Sequence, residues 1–187
     1  MSCLLTLGRL EPCKDAVAGL NAVYFANFDD ANLDITFDVT DTDVIDQIGS
    51  TVTDVTAYKY ELKGTSSYEE TINSSRENGT TFFTQTLNMN LKGLTKEDHK
   101  EIKLLSYGRP HVIVEDRNGN LFLAGREYGM EVTAGTVALG SAMGDAQQYT
   151  LTLTAEEKTP ANFCIPATGT TVTEKLTNLN VAVTEGT

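Results

Sequence analysis

Alternation of apolar and polar side chains, the period that separates the two faces of a β-strand, runs through much of this chain. Residues 33–40 alternate without a break, with Leu33, Ile35, Phe37 and Val39 on one side and Asp34, Thr36, Asp38 and Thr40 on the other. They predict a half-buried strand with an acidic outer face. Residues 20–27 (LNAVYFAN) are apolar on both sides and predict a strand covered on both faces. Residues 55–62 predict another, with Tyr58, Tyr60 and Leu62 opposite Ala57, Lys59 and Glu61. Residues 83–91 answer it, with Phe83, Leu87, Met89 and Leu91 inward and Thr84, Thr86, Asn88 and Asn90 outward. Between these two strands, residues 63–82 are rich in Ser, Thr, Glu, Asn and Gly. They predict a long inter-strand loop, well beyond the roughly two to five residues of an ordinary hairpin turn.

The period changes to that of a helix over 95–107. Thr95 is the N-cap, Glu97 and Asp98 suit the positive end, Ile102 and Leu105 form the inward stripe, and Gly108 and Pro110 stop the element. Residues 111–115 and 121–124 flank an Asn118-Gly119 turn and predict a hairpin. Residues 130–137 and 148–155 predict a last pair joined by a segment carrying Gly140 and Gly144. Beyond Pro166 the regular pattern fades into a Thr-, Asn- and Val-rich stretch, read as one more hairpin or an arm. Antiparallel pairs dominate and no βαβ alternation appears. The fold class is therefore mainly β: an antiparallel sandwich or barrel with one flanking helix (95–107). Residues 1–163 form its domain, opening on an N-terminal arm or short edge strand, and 164–187 an extension.

Composition adds to this picture. Trp is absent, Pro occurs four times and hydrophobic residues make up 40%, a normal globular share. The formal charge is −12, which disfavours clamping onto DNA and docking to anionic membranes. Residues 1–56 hold ten acids against Arg9 and Lys14, eight of that net twelve. No apolar run with a basic flank reads as a signal peptide, and none approaches the roughly 18 residues of a membrane span. Cys3, Cys13 and Cys164 are odd in number and scattered, so they read as reduced thiols. Asn73 and Asn78 fit glycosylation sequons formally but read as turn residues.

Catalytic chemistry needs titratable groups that converge. His99 lies on the exposed side of a charged helix, and His111 at a strand start is read as buried or at an interface, with no nucleophile beside it. Asp38, Asp41, Asp43 and Asp46 lack the glycine and distal glutamate of a calcium loop and read as a solvated acidic turn. Asp29-Asp30, Glu69-Glu70 and Glu156-Glu157 are sequence neighbours, whose side chains point to opposite faces of a strand. Gly129, Gly135, Gly140 and Gly144 are too far apart to cradle a phosphate. No enzyme, metal or cofactor is expected.

Between residues 64 and 83 this polar segment carries Tyr68, Ile72, Arg76, Phe82 and Phe83, and Tyr, Phe and Arg are types enriched at interface cores. It reads either as a floppy loop with a hydrophobic return into the core or as an assembly loop that orders against a neighbouring copy, with Arg76 pairing there with Glu69 or Glu70. Asp34 and Asp38, on one strand face, read as a solvated outer face or as candidates for an acidic lumen.

From Tyr58 to Phe163, the run YELKGTSSYEETINSSRENGTTFFTQTLNMNLKGLTKEDHKEIKLLSYGRPHVIVEDRNGNLFLAG and the closing YTLTLTAEEKTPANF resemble virion structural proteins of tailed phages, especially those infecting Bacteroidetes. These resemble the tail-tube superfamily, to which the tube protein of type VI secretion systems also belongs. The resemblance implies a β-sandwich or barrel with one flanking helix, whose subunits close into hexameric rings. The rings stack through a long loop, here 63–82, and terminal arms. It implies partners that are copies of itself and other tail or neck proteins, DNA that passes without specific binding, and a virion tail assembled in the host cytoplasm. A neck, connector or tail-terminator ring and a β-sandwich adhesin or head-decoration module are the alternatives.

Overall fold

The structure is a computed structural model that describes residues 7–11, 13–14, 16–28, 33–49 and 54–186. Residues 1–6 of the expected N-terminal arm, with Cys3 among them, and the Asp29-Asp30 pair lie outside the described residues. In chain order the elements are β1 (Leu20–Ala26), β2 (Thr36–Phe37), β3 (Val44–Gln47), β4 (Val55–Glu61), β5 (Ser67–Ser75), β6 (Thr80–Lys92), α1 (Lys96–Leu105), β7 (His111–Asp116), β8 (Leu121–Ala124), β9 (Glu131–Ala138), β10 (Gln148–Glu157), β11 (Asn162–Cys164), α2 (Val172–Asn178) and β12 (Val181–Glu185).

These strands form two sheets and no closed barrel. The large sheet runs β12-β4-β1-β7-β8-β11-β3-β2 and the small one β5-β6-β10-β9. The fold is thus the mainly β sandwich with minor helix that the alternation predicts. It is not antiparallel throughout: β12 pairs with β4, and β11 with β3, in parallel.

Two cores follow from the patterning. The first lies between the sheets and joins Val23 and Phe25, Val112 and Val114, Leu87 and Met89, and Leu151 and Leu153, with Ile102 of α1. The second, on the other face of the large sheet, joins Tyr24, Ile45, Val55, Ala57, Ile113, Leu121, Leu123 and Cys164 with Leu176 and Leu179 of the α2 segment. β1 is apolar on both faces because it feeds both cores. Tyr60 and Leu62 serve the first and Val55 and Ala57 the second, so β4 does the same. Each fully buried Leu, Ile, Val or Phe contributes about 1.5–3 kcal/mol.

Four expectations need correction. The 63–82 stretch is no loop: β5 pairs with β6 from Ser67↔Asn88 to Ser75↔Thr80, leaving only four residues in the turn, with Gly79 at φ 63°. Of that stretch, residues 63–66 and the turn residues 76–79 remain outside the strands. Residues 55–62 and 83–91, expected as partners, lie in different sheets. Of residues 33–40 only Thr36–Phe37 is strand, and Val39 is fully exposed. Asp38 breaks the strand by accepting hydrogen bonds from the Thr40 and Asp41 backbone N–H groups at 2.7 and 3.0 Å, a local turn that competes with the sheet. Finally, the stretch beyond Pro166 is neither hairpin nor arm. It holds a second helix, α2, whose N-cap Thr171 and Glu174 form a reciprocal capping box. Asn180, left-handed at φ 57°, ends it and turns the chain into β12.

Other signals hold as expected. Thr95 accepts from the Asp98 N–H at 3.0 Å and starts α1. The β7–β8 turn is organised by Asp116, which accepts from the backbone N–H groups of Asn118 and Asn120, each at 2.8 Å. Burial pulls the Asp116 carboxyl upward, but these bonds and those from the two asparagine side chains outweigh it and hold its pKa below the usual aspartate value.

Candidate assembly surface

The small sheet differs from the large one in having a face that, among the described residues, no other element covers. Paired residues of an antiparallel sheet share a face, so the register sorts its side chains. Tyr68, Leu87 and Leu153 lie in one row, Glu70, Gln85 and Ala155 in the next, and Ile72, Phe83 and Glu157 in a third, all on the inner face. The outer face carries Glu69, Thr71, Thr84, Thr86, Asn88, Asn90, Thr150, Thr152, Thr154 and Glu156. Its side chains bond to one another across strands. Thr150 donates to Asn90 Oδ1 and Thr152 to Asn88 Oδ1, both at 2.9 Å, and Asn73 Nδ2 donates to Thr84 Oγ1 at 2.8 Å.

Both edges of this sheet are bare. Among the described residues, β5 pairs only with β6 and β9 only with β10. A nine-residue and an eight-residue strand therefore end the sheet with unpaired backbone groups, a template for another strand. β9 (EVTAGTVA) carries one charge, Glu131, and its one irregularity is a bulge at Thr133. Val137 is 53% exposed and Leu139, just beyond the strand, 68%. On the opposite edge Ile72 is 67% exposed. The β5–β6 hairpin also overhangs: β10 ends at Glu157, opposite Phe83, while β6 continues to Thr80.

The residues expected to form an assembly surface therefore divide. Tyr68, Glu70, Ile72 and Phe83 share the inner face, Glu69 and Phe82 the outer, and Arg76 sits exposed in the turn. Arg76 makes no ion pair among the described residues. Glu70 is already engaged within its own chain, accepting from Tyr68 OH at 2.6 Å and from the Ala161 N–H at 2.8 Å. Burial first, then Glu70, pushes the Tyr68 phenol above its ordinary pKa. Asp34 is exposed and Asp38 caps a turn, which holds its carboxyl below the usual aspartate value. The strand face that was to display them together is not formed.

Sequence reasoning missed the polar residues that fasten the two sheets. Gln85, buried on the inner face of β6, accepts from the Gly125 N–H at 2.8 Å. Glu157, also buried, accepts from the Glu127 and Tyr128 N–H groups at 3.1 and 3.0 Å. Together they grip the turn between β8 and β9. Burial raises the Glu157 pKa, partly offset by those two N–H groups. Glu127 on the same turn is held low, chiefly by Lys158 at 3.1 Å and also by Arg126. The signal was available: Gln85 breaks an otherwise apolar inward row, and Glu157 continues the inward alternation of β10.

Other titratable groups are placed structurally. Glu115 is buried and accepts from Tyr24 OH at 2.6 Å and from the Asn21 side chain. His111 is buried as one of its two readings had it, its Nδ1 at 2.7 Å from the Gly125 carbonyl oxygen and its ring stacked on Phe28 at 4.7 Å. His99 is exposed. Burial pushes the Cys164 thiol up to about 12, out of the reactive range. No group of three or more His, Cys, Asp or Glu able to hold a metal occurs among the described residues, and none of their helices is long and apolar enough to cross a membrane. A cleft of about 1400 Å³ runs between α1 and the β4–β12 edge and mixes Tyr58, Tyr60, Leu104 and Tyr107 with Glu61, Glu101 and Glu185. Set against models of known families, curated proteins and solved structures, the chain matches none of them.

Proposed function

We propose that this protein is a structural subunit whose copies join head to tail through the small sheet, β9 of one to β5 of the next, into rings that stack as a phage-type tail tube. The observation that carries the reading is the pair of long, bare edges on one four-stranded sheet. Its strands alternate in direction and are even in number, so β9 of one copy meets β5 of a rotated neighbour antiparallel. Such a heterologous contact closes as a ring or runs on as a filament. Val137 pairs with Tyr149, and Ile72 lies in the same inner-face set. Joining the edges brings these two exposed apolar side chains onto one continuous surface, backed by the first core.

The uncovered Thr and Asn face then becomes the wall of the ring's interior. Its charged residues are Glu69, Glu131 and Glu156 against Lys92, and a wall of neutral polar groups with excess carboxylate gives phosphate no counterion-release gain. This moves the lumen from Asp34 and Asp38 to the small sheet. The passage of DNA, the hexameric symmetry and the place in a virion tail rest on the resemblance to tail-tube proteins.

The test is Val137→Lys. A lysine along an open edge opposes strand addition, and a side chain already half in water tolerates it. Wild-type protein is expected to form rings or tubes in negative stain and to rise in mass with concentration in light scattering. Val137→Lys should stay monomeric with an unchanged melting temperature. A wild-type chain that is monomeric at every concentration, or a variant that assembles equally well, overturns the reading.

A further inference from the structure

Two Asn-Gly pairs sit at hairpin turns, Asn78-Gly79 between β5 and β6 and Asn118-Gly119 between β7 and β8. Their covalent chemistry is the same and their surroundings are not. In such a pair the glycine amide nitrogen, on losing its proton, can add to the asparagine side-chain carbonyl carbon. The new C–N bond closes a five-membered succinimide and ammonia leaves with the former side-chain nitrogen. Water then opens the ring at either carbonyl, giving aspartate or isoaspartate. Only water and its hydroxide are consumed. The step requires the side-chain amide to swing onto the backbone nitrogen, and it is fastest before glycine, where no Cβ stands in the way.

Asn118 is held away from that path at each reacting group. Its Nδ2 donates to the Val17 carbonyl at 2.8 Å and to Asp116 Oδ2 at 3.3 Å, and its Oδ1 accepts from the Val17 N–H at 3.0 Å. The nucleophile is engaged as well, since the Gly119 N–H donates to the Asp116 carbonyl at 3.2 Å. Asn78 has none of this. It is exposed, and among the described residues its one hydrogen bond is from its backbone N–H to Ser75 Oγ at 3.3 Å. A Cβ placed on Gly79 would meet nothing within 4 Å, so open space surrounds the atoms that must move.

We propose that Asn78 is a site of spontaneous deamidation in the folded protein and that Asn118 is protected from it. The inference stands on the two turns alone and does not rest on the assembly reading. Its product is consequential, because isoaspartate adds a methylene to the main chain of a four-residue turn that fixes the Ser75↔Thr80 register. Either product also adds a negative charge beside Arg76 and Glu77.

The full chain is incubated in ¹⁸O-water at mildly alkaline pH and digested afterwards in ordinary water, so that only conversions made by the intact protein carry the label. Mass spectrometry then follows the peptides starting at Glu77 and Asn118. Asn78 is expected to convert faster by about ten-fold or more, the scale by which holding groups out of a near-attack geometry slows an intramolecular step. In urea both sites should convert at similar rates, and Gly79→Ala should slow Asn78 in the folded chain. Equal conversion of Asn118 in the folded protein overturns the proposal. So does an Asn78 that stays intact while the urea-unfolded chain reacts at both sites.

Discussion

The large sheet is covered on both faces, by the small sheet and α1 on one side and by the α2 segment on the other, and its β12 edge is tied down by Lys59 and Glu185 at 2.8 Å. The small sheet is covered on one face and ends in two open edges. Both are made of alternating strands, so alternation alone does not set their roles. What differs is the set of side chains turned away from the first core: apolar in β1 (Ala22, Tyr24, Ala26) and at Val55, Ala57 and Ile113, but Thr and Asn in β6 and β10. Stability is concentrated in the twice-covered sheet, and the half-covered one is free to meet something else.

Substitutions sharpen this contrast. Leu179 is fully buried in the second core, so Leu179→Ala should cost about 3 kcal/mol in urea unfolding. Ile72→Ala, on the open edge, should cost less than about 0.5 kcal/mol. Equal costs would break the comparison. Glu157 probes the seam between the sheets. Its pKa is raised in the folded state, so the folded chain binds its proton more tightly than the unfolded chain does. That contribution to stability is present at low pH and is lost as pH rises from the ordinary glutamate value through the raised one. Glu157→Gln keeps an oxygen to accept from Glu127 and Tyr128 but cannot titrate. Melting curves across that window should show wild type falling relative to the variant, and parallel curves would remove Glu157 from the seam's charge balance. The smallest effect is expected on the uncovered face: Thr152→Val loses one bond to Asn88 on a surface open to water and should change stability by no more than about 0.5 kcal/mol.

The chain announces some of this architecture and conceals the rest for physical reasons. β1, β10, α1 and the β7–β8 hairpin were legible because their burial pattern or caps are written in consecutive residues. β5 was not: Ser67, Glu69, Thr71 and Asn73 on one side and Glu70 and Ser74 on the other look like a loop. Its strand state comes from hydrogen bonding along β6, in a register that the 76–79 turn fixes, and the Asn78-Gly79 pair in that turn was its readable local signal. Residues 33–40 erred the other way, since a perfect alternation was overruled by the Asp38 turn. α2 is short and rich in β-branched residues, poor helix formers, yet Thr171 and Glu174 carried a readable capping signal. Of the candidate assembly surface, Ile72 and Phe82 were singled out in the sequence and are exposed, while Phe83, expected inward, is partly buried. The open β9 edge was not, because a strand's neighbours are a property of topology.

The α2–β12 segment has a consequence for how the molecule is made. Its partners in the second core lie in β1, β3, β4, β7, β8 and β11, and β12 itself lies beside β4, more than a hundred residues upstream. A ribosome therefore releases every other piece of that core before the piece that seals it. A nascent chain can begin collapsing around the first core while its Val55 edge still waits for Val181. The mature, doubly covered sheet then forms only after translation has passed residue 185, so unfinished polypeptides lack the rigid base on which the bare edges sit.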